Sequence, residues 1–211
     1  CCIFILPGRI GRRAAEIRDK YYMPGGCFMA RIYGERIMLR EYQKEDFAGI
    51  RKWVNDPEVT EHLSDIFLFP HTAGETEKFL NGILDGSSPI KGFVIADRRT
   101  EAYLGQIDLV KIDWKNRVGT LGIVIGAPEN RGRGIGTEAI GLMLEFAFQR
   151  LNLHRIELEA RDYNTRALRC YRKCGFQEEG RARQNFFIRG RYTDTVRLGI
   201  LKEEYLQQKK A

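Results

Sequence analysis

The chain has 211 residues, 43% of them hydrophobic and 30% charged, with a formal net charge of +7. That composition belongs to a folded globular protein and excludes a disordered one. No apolar run approaches the ~20 residues of a membrane-spanning helix, so no membrane partner is expected.

Residues 1–28 open on CCIFIL, too short for a signal-peptide core and without a basic stretch before it. We read them as a leader or vector-derived arm with Met29 as a natural start, a genuine N-terminal arm being the alternative; residues 29–211 read as a single domain. The arm carries five cations against Glu16 and Asp19, which is +3 of the charge and leaves +4 for the body. That excess suits an anionic ligand or an acidic partner and does not demand nucleic acid. The cysteines are Cys1, Cys2, Cys27, Cys170 and Cys174, an odd number without a disulfide pattern, so a reducing cytoplasm is the expected location. His62, His71 and His154 are scattered, and no metal-ligand spacing is present.

Along the body, ERIMLREY alternates as a strand, and residues 46–54 pattern as a helix stopped by Asn55-Asp56-Pro57. A capping box, Thr72 with Glu75, opens a second helix that runs to about Leu84. Strands follow over residues 92–97, 103–112 and 117–125, the last two joined at Lys115-Asn116. A glycine-arginine loop leads into a helix from Thr137 to about Leu151. HRIELEA is the next strand. Asn164 opens another helix, which Gly175 closes as a left-handed cap, and strands over residues 185–189 and 193–201 flank a turn at Gly190. The fold class is mixed α/β, with largely adjacent antiparallel strands.

The stretch ENRGRGIGTEAIGLMLEFAF places three glycines and two arginines at the mouth of an apolar helix. A helix N-terminus leaves several N–H groups without intrahelical acceptors, and its dipole is positive there. Glycines let those groups approach a ligand with no Cβ in the way, and arginines add charge suited to phosphate. A diphosphate is the simplest ligand, and a plain strand-to-helix turn with solvated arginines is the bland alternative. A nucleotide triphosphatase loop would need a lysine before Thr137. Gly134-Ile-Gly136-Thr-Glu-Ala139 also matches the dinucleotide fingerprint, with Glu157 and Glu159 as ribose acids. Against that stand the residues intervening between strand and glycines, and the hairpin where parallel strands would be needed.

Three blocks in order carry a family resemblance. Arg131-Gly132-Arg133-Gly134-Ile135-Gly136 resembles the acetyl-CoA diphosphate loop of the GCN5-related N-acetyltransferases. Asn164 through Tyr171 to Gly175-Phe176 resembles that family's N-x(6)-Y-x-x-x-G-F segment. FFIRGRYTDTVRLGILKEEY is similar to the C-terminal strands of its RimJ/RimL and spermidine acetyltransferase branch. The resemblance implies a sheet with helices on both faces and two central strands splayed apart around acetyl-CoA, the only cosubstrate, with no metal. It further implies that the backbone of Ile123, Val124 and Ile125 pairs with the pantetheine arm. By the same resemblance, N–H groups from Arg131 to Thr137 hold the diphosphate, Asn164 contacts the cofactor, and Tyr171 is the general acid.

The chemistry is reasonable on its own terms. A tyrosine is protonated at neutral pH and can donate to a leaving thiolate. On a helix opened by Asn164, Ala167 and Cys174 share a face with Tyr171, and small residues there leave room for a cofactor arm. The bland readings are a core tyrosine, an ordinary N-cap for Asn164, and buried small side chains for Cys170 and Cys174. His154 reads as a strand-start surface residue. The arginines at 181, 183, 189, 191 and 197 read as a solvated face, a cofactor phosphate anchor or a docking face.

The acceptor is expected to be a protein N-terminus or a small-molecule amine, with a polyamine second. A non-catalytic coenzyme A or nucleic-acid docking module is the alternative of a different class, and a homo-oligomer is left open. Candidate acids are Glu61, Asp65, Asp108, Glu157 and Glu159, and HLSDIFLFP is either one edge of an acceptor groove or core.

Overall fold

Alternating apolar and polar residues build the strands, and the resulting order positions the site. The computed structural model describes residues 31–209, so the expectations for residues 1–28 and Met29 lie outside the described residues. β1 (Ile32–Tyr33) and β2 (Ile37–Arg40) are followed by α1 (Asp46–Arg51), α2 (Pro57–Thr60) and α3 (Ala73–Leu84). The helix expected to reach Val54 ends at Arg51, and α2 restarts it. Pro57 supplies a ready-made first-turn φ, and the Asp56 carboxylate accepts from the Glu58 N–H at 2.9 Å. The Thr72–Glu75 capping box is present as expected.

β3 (Lys91–Asp97), β4 (Tyr103–Asp113) and β5 (Val118–Ile125) form the antiparallel meander, and α4 (Ile135–Gln149) follows. β6 (Arg155–Arg161), α5 (Thr165–Lys173), β7 (Gln177–Ile188), β8 (Arg191–Leu201) and α6 (Lys202–Gln208) complete the order. β7 begins eight residues before the expected Asn185. Its first half, QEEGRARQ, reads as polar because β7 is an edge strand with both faces largely exposed. α6 has no counterpart in the sequence expectations.

The strands form one sheet, ordered β1-β2-β3-β4-β5-β6-β8-β7, antiparallel except for β5 beside β6. That parallel pair requires a crossover, which α4 supplies. Only Val118–Thr120 of β5 pair with β6, opposite Arg155–Glu157, and the strands diverge beyond them. The register of β4 against β5 also shifts between Leu109 and Lys111, and a bulge of this kind strengthens local twist. The result is the splayed central pair that the resemblance implies.

Each sheet face carries its own core. On one, Ile107, Leu109 and Leu121 pack with α4 through Ile140, Met143, Leu144 and Phe148. On the other, Met38, Val94 and Ala96 pack with Ile50, Trp53, Val59 and Leu80 from the α1–α3 segment. Phe148 is fully buried, so its truncation to alanine removes about 3–5 kcal/mol. Arg40 and Asp46 form a buried two-pronged ion pair, at 2.7 and 2.9 Å, that fixes the start of α1 against β2.

Candidate active site

The divergence of β5 and β6 opens a cavity of about 980 Å³. Leu121 to Ile125 face it along a strand edge with no partner strand, and the glycine loop and α5 close its other side. This unpaired edge is where an extended amide chain can add as a strand.

At the loop, Gly132 and Gly134 adopt φ of +76° and +80°. Six consecutive N–H groups, from Gly132 to Thr137, make no hydrogen bond among the described residues. They sit at the positive end of α4, a fitting cradle for a diphosphate. The run starts one residue later than expected, because the Arg131 N–H is bonded to the Pro128 carbonyl at 3.0 Å. The Arg131 side chain also departs from expectation: its guanidinium turns to Glu58 (3.4 Å), Asp56 (3.9 Å) and the Gly126 carbonyl, tying the loop to α2. Arg36 braces the loop from behind. It donates to the Arg133 carbonyl at 2.5 Å and pairs with Glu138 at 3.0 Å, the carboxylate that also accepts the Arg36 backbone N–H.

Asn164 caps α5 by accepting from the Ala167 N–H at 3.2 Å, so the ordinary cap reading holds while its side chain also lines the cavity. Ala167, Cys170 and Tyr171 line the same wall. The Tyr171 ring packs edge-on to Phe176 at 6.0 Å, and its hydroxyl makes no hydrogen bond among the described residues. Burial pushes that hydroxyl well above the ordinary phenol range, so it stays protonated. Gly175, at φ +93°, ends α5 as expected. The two cysteines are half-buried and lock α5 onto α4: the Cys170 sulfur lies 3.4 Å from the Thr137 hydroxyl, and the Cys174 thiol meets the Thr137 carbonyl. The neighbouring Cys174 thiol lowers the pKa of Cys170.

The other end of the cavity is an apolar lobe walled by Trp53, Val54, Val59, Leu63, Phe67 and Phe79. Asp108 is in its floor. This carboxylate is 6% exposed and accepts from the Tyr42 hydroxyl at 2.7 Å and the Gln106 amide at 3.1 Å. Tyr103 donates to Gln106 and accepts from the Trp53 indole, extending the network. Burial raises the Asp108 pKa to about 7, because the two hydrogen bonds only partly offset desolvation. Gly92, directly opposite on β3, makes room: a Cβ there would lie 2.1 Å from an Asp108 oxygen.

Of the five candidate acids only Asp108 is buried in the site. Glu61 pairs with Arg189, Glu157 with Arg155 and Glu159 with Arg197, while Asp65 is exposed. The sequence signal that singles out Asp108 is the pair Gln106 and Asp108 on one face of a strand whose other face is apolar; Tyr42, Tyr103 and Trp53 carried no such signal. Residues 62–64, 66 and 67 of HLSDIFLFP line the lobe, which is the groove-edge reading, and Leu68 and Phe69 point outward. Among the C-terminal arginines, Arg181, Arg189 and Arg197 are ion-paired to surface acids. His154 is exposed, as expected.

No helix among the described residues is long and apolar enough to cross a membrane. Residues 36–177 match the family described as the acetyltransferase (GNAT) domain. A spermidine N(1)-acetyltransferase of Vibrio cholerae is 32% identical over 82% of this chain and 97% of its own length. The enzyme of that name from Escherichia coli K12 is 29% identical over 82% and 90%. A crystal structure of the Vibrio cholerae protein in complex with coenzyme A and spermine superposes with a TM-score of 0.72 at 30% identity, covering 82% of this chain and 99% of that one. With its splayed strands and bare amide loop, the chain belongs to the GCN5-related N-acetyltransferases, and it is an acetyl-CoA-dependent N-acetyltransferase of the spermidine acetyltransferase-like branch.

Proposed function

We propose that the protein transfers the acetyl group directly to a primary amine, with Asp108 as proton acceptor and Tyr171 as proton donor. The observation that carries this is one cavity lined by a buried carboxylate near neutral pKa, an unbonded tyrosine hydroxyl and five of the six loop residues with free amides. Acetyl-CoA supplies an activated acetyl group. The amides of Gly132 to Thr137 hold its diphosphate, and the edge of Ile123, Val124 and Ile125 orients the pantetheine arm, with Asn164 and Ala167 opposite. An N–H of that edge polarises the thioester carbonyl. Asp108 attracts the ammonium form, accepts its proton and leaves a nucleophilic lone pair. Tyr171 protonates the departing sulfur. Arg131 and Arg133 contribute positive field rather than direct contacts.

Freeing an α-amino group of pKa near 8 at pH 7 costs about 1.4 kcal/mol, whereas an alkylamine near 10.4 costs about 4.6 kcal/mol. A single carboxylate near pKa 7 suits the first case, a protein N-terminus or small amine, more closely. The polyamine reading is favoured by the relatives named for spermidine. The test is thiol release from acetyl-CoA with a panel of amines, read alongside mass spectrometry of the products. Acetylated amine with stoichiometric thiol supports transfer; tight coenzyme A binding with no product from any amine indicates a binding module instead. Thermal stabilisation by NAD and not by coenzyme A would return the dinucleotide reading.

A further inference from the structure

Arg166, Arg169 and Lys173 stand three and then four residues apart on α5, which puts them along one side of that helix. All three are exposed, and all three line the cavity. Cys170 lies within this stripe. Its sulfur is 3.4 Å from the Thr137 hydroxyl and 3.7 Å from where a Cβ on Gly136 would lie. The stripe therefore runs beside the free amides that open α4.

Left to itself, this arrangement is electrostatically unfavourable. The adjacent Arg172 is paired with Glu178 at 3.0 Å, but no carboxylate pairs with the three cations among the described residues. Arg169 is bonded only within its helix, to the Thr165 carbonyl at 3.3 Å. Like charges three and four residues apart on a helix repel. Arg166 also sits in a first turn that holds no acid, at the positive end of the helix dipole. Lys173 suits the dipole by its place in the last turn, yet it faces Arg169. A multiply charged anion along the stripe would relieve each of these conflicts, and guanidinium and ammonium groups are its natural partners.

Coenzyme A carries such a group beyond its diphosphate. The 3′-phosphate of its ribose is a phosphomonoester, with about −1.5 to −2 charge at pH 7. The amides of residues 132–137 are taken up by the diphosphate in the reading above, and Arg181, Arg189 and Arg197 are held by surface acids. We propose that Arg166, Arg169 and Lys173 form the site for the 3′-phosphate and set a preference for coenzyme A over its 3′-dephospho form. This rests on the diphosphate lying at residues 132–137.

The test is calorimetric binding of coenzyme A and of 3′-dephospho-coenzyme A to the full chain at low salt. Coenzyme A should bind at least about tenfold more tightly. That ratio should shrink as salt is raised, since the stripe is exposed. The triple variant Arg166→Gln, Arg169→Gln and Lys173→Gln should bring the two affinities within about threefold. It should do so by weakening coenzyme A, with the dephospho form changed by less than about twofold. Removing like charges from exposed positions should leave Tm unchanged or raise it, which checks that the variant folds. Equal affinities in the parent protein overturn the inference and leave the diphosphate cradle intact. A preference that survives the triple variant also overturns it, by putting the 3′-phosphate elsewhere. If neither coenzyme binds the parent, the cradle reading fails and the inference falls with it.

Discussion

The two ends of the cavity offer a ligand different means of recognition. The loop end presents backbone: six free amides over residues 132–137, two left-handed glycines and an unpaired strand edge. The apolar lobe presents side chains, brought from β4 and the α1–α3 segment to surround one buried carboxylate. A backbone site is coded locally, by where glycine stands relative to a helix start. A side-chain site exists only once the sheet has formed. The loop should therefore respond to changes in backbone freedom, and the lobe to changes in charge and shape.

Tyr171→Phe should break the arrangement most severely. It removes the proposed proton donor while leaving the wall intact, so kcat is expected to fall by about a thousandfold with coenzyme A affinity within about twofold. Stopped-flow rates and calorimetry check the two halves separately. The protonated range of this buried hydroxyl extends beyond the ordinary one, so kcat/KM should show no loss of activity up to about pH 10 from this group.

Asp108→Asn is next, with kcat/KM expected to drop by roughly a hundredfold. In the parent protein kcat/KM should rise through about pH 7 as Asp108 loses its proton, and the variant should lack that limb. The same group predicts a stability signature. Its folded pKa of about 7 lies above the usual aspartate value near 3.9, so between those values the native state holds a proton the unfolded chain has released. Stability contributed by this group is thus full at low pH and lost as pH rises through that window. Tm measured across it should fall in the parent and stay flatter in Asp108→Asn.

At the loop the contrast sharpens within a single motif. Gly134→Val forces a branched residue into φ +80°, costing about 1–2 kcal/mol, and its Cβ would lie 2.9 Å from the Arg36 guanidinium. Coenzyme A affinity should weaken about tenfold or more. Gly136→Ala meets only the Cys170 sulfur, at an ordinary 3.7 Å, so Tm should hold and affinity should change less than at Gly134. The smallest effect is expected from Arg36→Ala. It removes a surface ion pair worth about 0.2–1 kcal/mol and the brace on Arg133, raising KM for acetyl-CoA a few-fold with kcat unchanged.

The same contrast explains what was legible beforehand. The Thr72 capping box, the Asn164 and Gly175 caps and the glycine loop are local patterns, and the structure has each of them. The splay of β5 from β6 came only through the family resemblance, since no spacing encodes where a strand pair parts. The first half of β7 was hidden because an edge strand has no need of alternating burial. Arg131 reads as a phosphate ligand in a one-dimensional motif, yet Glu58 and Asp56, 73 and 75 residues away, claim its side chain. Asp108 was one of five candidate carboxylates, marked off only by sharing a strand face with Gln106, and its burial beneath Tyr42 needed the formed sheet.

The geometry of the coenzyme A complex is the most direct test. A crystal structure should place the amides of residues 132–137 on the diphosphate and the Tyr171 hydroxyl within about 3.5 Å of the sulfur. A diphosphate bound elsewhere, or a sulfur facing away from Tyr171, would contradict it.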